Sequence, residues 1–148
     1  LGGLDAHQFG KRVGPFVPIK LMRYSRSFRY IRTHVLTDEP LSGDLGHDRD
    51  QVFAALRAGR CYIAVDSLGS AKGFRFWAEG PEGRVEMGEE AAAGDWTLRV
   101  RLPGEATLKV IRDGQEVDGL DASEPGVYRV EAHRGDRTWV ISNPVYLR

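Results

Sequence analysis

The sequence predicts a mainly β fold, an immunoglobulin-like antiparallel β-sandwich that follows a helical segment. After Arg60 the chain breaks into about seven short extended runs, separated by Gly, Pro and Asp at intervals of roughly eight to twelve residues. Apolar and polar residues alternate within several runs, as in 97–102, and Asp113-Gly114 has the composition of a two-residue hairpin turn. Strands at this spacing are typical of sandwiches, although the cysteine pair of antibody domains is absent.

Residues 1–14 contain four glycines and no helical periodicity, which predicts the end of a strand followed by a loop. Pro15 and Pro18 then fit the first turn of a helix. Apolar residues recur at alternating steps of three and four, so we predict an amphipathic helix to about Ile31, whereas 32–35 can also be extended. The apolar stripe consists of Leu21, Tyr24, Phe28, Ile31 and Val35.

The segment 37–47 is rich in turn-forming residues and is the predicted linker. Asp48 or Asp50 can cap a short helix with the sequence DQVFAALRAG, and Gly59 is suited to end it. The residues expected to face inward are Val52, Phe53 and Leu56.

Composition places the chain among globular proteins and gives no global charge signal. Of 148 residues, 41% are hydrophobic and 28% charged, and 21 basic side chains balance 21 acidic ones, which favours neither nucleic acid nor an anionic membrane as a partner. No apolar run reaches the roughly 20 residues of a membrane span. Because the first residue is Leu1 rather than Met, we expect the natural N-terminus to lie upstream, and localisation is left open.

One segment is strongly basic although the net charge of the whole chain is zero. From Lys11 to Arg32 there are seven basic residues and no acidic one. Four arginines recur at steps of three beside the apolar stripe and can bind an anion such as a phosphate group, since guanidinium groups match its oxygens. The alternative is a solvated face or ion pairs with a lost partner. These candidate anion-binding residues are Arg23, Arg26, Arg29 and Arg32.

Asp5 and His7 form the only constellation with the character of a metal site. In an extended segment, residues two apart point to the same side, so both can reach one cation. Carboxylate and imidazole together suit zinc, manganese or iron. A turn aspartate beside a surface histidine is the alternative interpretation of so short a motif.

The neighbouring residues extend this motif. The string Gly2-Gly3-Leu4-Asp5-Ala6-His7 resembles the closing metal motif of the PHP family, named for polymerase and histidinol phosphatase, which typically reads G-[S/L]-D-A-H. The order of helix, RTHV, ALRAGRCYIA and a β region ending in SNPVYL is similar to bacterial PHP metallohydrolases with a C-terminal sandwich, a branch that includes carbamate-hydrolysing relatives. On this resemblance, 1–36 is the C-terminal remnant of the metal-binding β/α barrel, 37–60 a linker and short helix, and 61–148 the β-sandwich domain.

The resemblance implies a metal-dependent phosphoesterase that uses metal-bound hydroxide, with Asp5 and His7 as ligands of divalent Zn, Mn or Fe. Two ligands cannot hold a catalytic zinc, which normally has three from the protein. The other ligands, including the family's H-x-H motif, are expected upstream of Leu1. The chain alone is therefore expected to be inactive and metal-free. Its expected partners are the missing barrel, a small phosphoester substrate and, through the exposed helix, a second copy of itself.

Other residues have ordinary structural interpretations beside functional ones. His34 can lie near the site, although a lone histidine at the end of an element is more often structural. Cys61, the single cysteine, lies in the apolar run CYIAV and is interpreted as a core residue rather than a reactive thiol. Trp77, Trp96 and Trp139 are expected in the core, the alternative being an exposed platform for sugars.

Two functional hypotheses follow. In the first, the chain is the tail of a PHP-like hydrolase. In the second, it is a stand-alone immunoglobulin-like binding or interaction module, and Asp5 and His7 are incidental. Residues 1–36 favour the first hypothesis, because a binding module does not need a glycine-flanked D-x-H motif and a basic helix.

Overall fold

The computed structural model describes residues 2, 9–13, 17–21, 28 and 30–148, and the side chains of residues 2, 28 and 30–148. A single α-helix and thirteen strands occur in these residues, with a 3-10 turn at Asp66–Leu68. In chain order the elements are β1 Phe9–Val13, β2 Val17–Leu21, β3 Arg32–Val35, α1 Leu45–Arg57, β4 Cys61–Ala64, β5 Arg75–Gly80, β6 Gly83–Glu86, β7 Glu90–Ala91, β8 Thr97–Arg101, β9 Thr107–Arg112, β10 Gln115–Val117, β11 Gly126–Arg134, β12 Arg137–Ser142 and β13 Val145–Leu147.

The strands after β2 form two sheets that share one core. The larger has the order β10-β9-β11-β12-β4-β3, with β13 pairing both β11 and the short β7; the smaller has the order β6-β5-β8. All pairs are antiparallel except β13 with β7. Alternating apolar residues of both sheets meet in the core, among them Phe76, Leu98, Val130 and Trp139, none with any exposed surface. The prediction of a mainly β chain with the antiparallel sheets of a sandwich is confirmed.

The predicted hairpin turn at Asp113-Gly114 joins β9 to β10. Both residues have positive φ, 49° and 87°, and Arg112 pairs with Gln115. A tight hairpin turn of this kind needs positive φ at both central positions, which explains the Asp-Gly pair.

The N-terminal helix prediction is wrong where the structure can be compared with it. Val17–Leu21 forms β2, antiparallel to β1, which itself occupies part of the predicted loop. Apolar residues at 17, 19 and 21 also alternate with period two, and Pro18 is tolerated because a two-stranded sheet has only edge strands. Phe28 and Tyr30 lie in turns, and a helical barrel remnant is not shown. Residues 32–35 take the extended alternative.

Helix α1 forms as predicted but begins earlier. Asp44, not Asp48 or Asp50, is the N-cap, and its carboxylate accepts a hydrogen bond from the backbone N–H of His47 at 2.8 Å. Asp48 instead accepts bonds from the preceding loop, chiefly from the N–H of Ser42, and these bonds lower its pKa.

The buried face of α1 is also narrower than predicted. Ala55 is fully buried, Val52 and Leu56 are half-buried, and Phe53 is 50% exposed. The helix contacts the sheet at its edge strand β3.

Two glycines bring the end of α1 against the turn after β6. Gly59, with φ of 72°, follows the helix as the predicted stop residue, and Gly88, with φ of 89°, faces it. A Cβ on Gly88 would lie 1.8 Å from the carbonyl oxygen of Ala58, so no larger residue fits without moving backbone. The N–H of Gly88 also donates to the carbonyl of Pro144 at 2.7 Å. This contact links the helix, the β6–β7 turn and the segment before β13.

We predict that Gly88→Ala destabilises the protein more than Gly114→Ala does. Both glycines have positive φ, which costs about 1–2 kcal/mol for alanine, but a Cβ on Gly114 meets no atom within 4 Å. The collision at Gly88 should therefore add about 1–3 kcal/mol to the loss of unfolding free energy in urea. Equal losses for the two variants would contradict the packing described.

Candidate functional site

Most of the predicted site residues lie outside the described residues. This applies to the proposed metal ligands Asp5 and His7 and to the arginines Arg23, Arg26 and Arg29. Their roles stay predictions. The structure places Arg32, the last of the predicted anion-binding residues, and Gly2, which opens the metal motif.

Strand β3 carries polar side chains on a face that is apolar in its neighbour β4. Arg32 is paired with Ala64 and His34 with Tyr62, so these four residues share one face of the sheet. Ala64 and Tyr62 are buried, whereas the side chains of His34 and Arg32 are 21% and 48% exposed. The core thus ends between β4 and β3, and the inner face of the edge strand β3 lines a cleft.

Asp66 is the anchor of this cleft. Its side chain is only 9% exposed, and one carboxylate oxygen lies 3.3 Å from an Arg32 guanidinium nitrogen and 3.2 Å from Nε2 of His34. The other carboxylate oxygen accepts the backbone N–H of Ala71 at 3.2 Å. Such multiple partners explain how a carboxylate is held at low exposure. Asp66 therefore fixes the two β3 side chains against the loop that follows β4.

The floor of the cleft is a stacked pair of rings. His34 lies parallel to Tyr62, with ring centroids 4.6 Å apart and an interplanar angle of 5°. The Tyr62 hydroxyl donates to the carbonyl of Ala71 at 2.7 Å. Burial raises the pKa of Tyr62 to about 12; the positive charge of Arg75 opposes this shift, and the carboxylate of Asp66 adds to it.

Positive charge dominates the lining of the cleft, which has a volume of about 480 Å³. Arg32, Lys72 and Arg75 are cations, and Asp66 is the lining carboxylate, so the net charge is +2 with His34 counted as neutral. Within the described part of the chain, no carboxylate lies within 4.0 Å of the charged groups of Lys72 or Arg75. Chemically, this arrangement is suited to binding an anion.

Sequence reasoning identified only part of this cleft. It considered His34 and Arg32, but it missed Asp66, Lys72 and Arg75. These three residues come from a loop and a strand that only the tertiary fold brings to β3. The one available signal was the polar pair Arg32 and His34 at alternate positions of a segment that can be extended.

The remaining candidates are structural. Cys61 is buried as predicted, and burial raises the pKa of its thiol, which disfavours the reactive thiolate. Trp96 and Trp139 are core residues, also as predicted. Trp77 is half-buried, with the Arg84 guanidinium 4.0 Å from its ring centroid, so a cation covers the ring.

The described residues contain no group of three or more His, Cys, Asp and Glu side chains able to hold a metal ion. Among these residues there is also no helix with the length and apolarity to cross a membrane. Comparison of the chain with protein-family models, with curated proteins and with solved structures finds no match.

We predict that Tyr62 makes stability fall at high pH. The unfolded tyrosine ionises near pH 10, whereas the folded one holds its proton to about pH 12. Between these values the unfolded state binds fewer protons, so the free energy of unfolding falls, by about 2–3 kcal/mol in total. Tyr62→Phe should remove this component. The test compares urea unfolding of both proteins at several pH values; parallel pH dependences would contradict the buried phenol.

Proposed function

We propose that this chain is the C-terminal part of a PHP-like metal-dependent hydrolase, a phosphoesterase, in which Asp5 and His7 are metal ligands. The immunoglobulin-like sandwich supports the end of the metal-binding domain. The ligands that complete the site are proposed to come from chain upstream of Leu1. Alone, the 148-residue chain does not catalyse the reaction.

The observation that carries the proposal is the fit of Gly2 against the sandwich. Its backbone N–H donates to the Thr33 hydroxyl of β3 at 3.2 Å. A Cβ at this position would lie 2.9 Å from the Ile63 side chain and 3.0 Å from that of Ile31. The glycine that opens the metal motif is thus closely packed on the sandwich, and a larger residue would displace the side chains of Ile63 and Ile31. This packing supports a structural connection between motif and sandwich.

The chemistry of the donor set supports metal binding by the first residues of the chain. Three residues of chain span at most about 11 Å, so Asp5 follows the anchored Gly2 within that reach. Asp5 supplies a carboxylate oxygen and His7 an imidazole nitrogen, a combination suited to zinc, manganese or iron. When bound, such ions act as Lewis acids toward a phosphoryl oxygen. In this proposal the chain supplies two metal ligands and holds them in place, and it does not complete the site.

The test is metal content and phosphoester hydrolysis of the full-length protein. Asp5→Asn combined with His7→Gln should abolish turnover and lower bound metal, because two ligands of the site are lost. The loss of a single residue that only hydrogen-bonds to a ligand typically lowers metal affinity or activity by roughly 10–100-fold. The matched control is Asp50→Asn with His47→Gln, since both are exposed residues of helix α1. Metal content is measured beside activity.

Retained metal and turnover in the Asp5 and His7 variant would contradict the assignment. After metal removal with a chelator, the unfolding curves of both double variants should coincide with that of the natural protein, because the loss of a bound metal by itself lowers stability. Loss of turnover with full metal content would also count against these residues as ligands.

A second candidate function is a stand-alone immunoglobulin-like binding or interaction module. It is favoured by the core of the sandwich, because residues of the two sheets between positions 62 and 147 form one hydrophobic core. In that case the metal motif is incidental, and the full-length protein is metal-free and inactive toward phosphoesters.

We predict that residues 31–148 unfold cooperatively and are more stable than residues 48–148. The shorter chain lacks β3, which covers Tyr62, and the N-cap Asp44, whose loss alone costs about 1 kcal/mol. Thermal unfolding followed by near- and far-ultraviolet circular dichroism measures the difference. Non-cooperative melting of residues 31–148 would indicate that the sandwich depends on other parts of the protein.

A further inference from the structure

We propose that the cleft between β3 and the loop after β4 binds the phosphate group of a small soluble phosphate ester. We call this the β3 cleft, defined by Arg32, His34, Tyr62, Asp66, Lys72 and Arg75. All six residues belong to the described part of the chain, and the β3 cleft does not include the metal ligands proposed above. It adds a binding site within the sandwich itself.

The first support is the contrast between two cations of the β3 cleft, Lys72 and Arg75, and many of the cations elsewhere on the sandwich; the third cleft cation, Arg32, is paired with Asp66. Many basic side chains are neutralised by a carboxylate within 4.0 Å, namely Arg60, Arg84, Arg99, Lys109, Arg112, Arg129 and Arg148. Among the described residues, Lys72 has no such partner, and the guanidinium of Arg75 donates only to the carbonyl of Phe74, at 3.0 Å. Their remaining donors are available to an anion.

The second support is the preorganised wall formed by Asp66. Its carboxylate is engaged by Arg32, His34 and the Ala71 N–H, so it holds these groups in position instead of pairing with Lys72 or Arg75. Guanidinium groups from two strands, Arg32 of β3 and Arg75 of β5, line the cleft and suit the several oxygens of a phosphate group. Holding the donors in place before binding lowers the entropy cost of association.

The third support is the size and the floor of the β3 cleft. Its volume of about 480 Å³ is within the roughly 300–1,000 Å³ of typical small-molecule sites. The ring of His34, which stacks on the buried ring of Tyr62, provides a flat surface beside the cations. Such a surface can contact the organic part of an ester while the cations bind its phosphate.

The experiment is an NMR titration of the 148-residue chain with inorganic phosphate and with phenyl phosphate, at constant ionic strength set with sodium chloride. We expect saturable shifts confined to β3, β4 and residues 66–75, with phenyl phosphate binding more tightly than phosphate. Lys72→Gln and Arg75→Gln should each raise Kd by about 3- to 10-fold, since each removes charge-assisted hydrogen bonds.

The matched control is Arg57→Gln, which removes an exposed cation of α1 that does not line the β3 cleft and should change Kd less than about 2-fold. Unchanged urea midpoints confirm that all variants fold. The proposal is overturned by shifts that never saturate, by equal losses in the control, or by tighter binding of benzoate than of phenyl phosphate. Cosedimentation with phosphatidic-acid vesicles, with an affinity higher than that for phenyl phosphate, would likewise overturn the soluble ester as the ligand.

Discussion

The antiparallel pairing of β3 with β4 is the interaction on which both proposed sites depend. It adds four residues to the edge of the large sheet and brings Arg32–Val35 beside Cys61–Ala64. Through Thr33 the same strand holds the backbone of Gly2, and through His34 it stacks on Tyr62. Without this pairing, the cleft would have no wall and the first residues of the chain would have no anchor on the sandwich.

The polar inner face of β3 protects the edge of the sheet, but it also places charge beside the core. An exposed edge with apolar residues can pair with other chains, and charged residues at the edge discourage this. Arg32 fulfils that role and His34 adds a second polar side chain, but the charge of Arg32 must be compensated near a buried tyrosine. Asp66 provides the compensation, and it leaves Lys72 and Arg75 without a carboxylate of their own. The excess positive charge of the cleft is thus a consequence of how the sheet edge is built.

The fold was predictable where local signals agree with tertiary packing. Asp113-Gly114 specifies its own hairpin turn, and alternating apolar residues specify strands such as β8. Prediction failed at Val17–Leu21, because apolar residues there fit helical and extended periods and only pairing with β1 decides between them. The helix cap was misplaced because Asp44, Asp48 and Asp50 are equivalent by composition, and only the loop at Ser42 distinguishes them.

The candidate cleft was less predictable than the fold, since its residues meet through nonlocal contacts. Arg32 and Asp66 are 34 positions apart, and no local rule pairs them. The neutral total of 21 basic and 21 acidic residues also hides a local excess, because ion pairs neutralise many of the other cations. A distribution of paired and unpaired charges is a property of the folded surface and cannot be obtained from composition.

Gly2 and the β3 cleft lie on opposite faces of one strand. Successive side chains of a strand point to opposite sides of the sheet. Thr33, which bonds Gly2, is on one face, whereas Arg32 and His34 are on the other, toward Tyr62 and Asp66. A ligand in the cleft therefore competes with no group that holds Gly2. The position of Gly2 and the shape of the cleft nevertheless share one requirement, because both need the four residues of β3 to keep their register on β4.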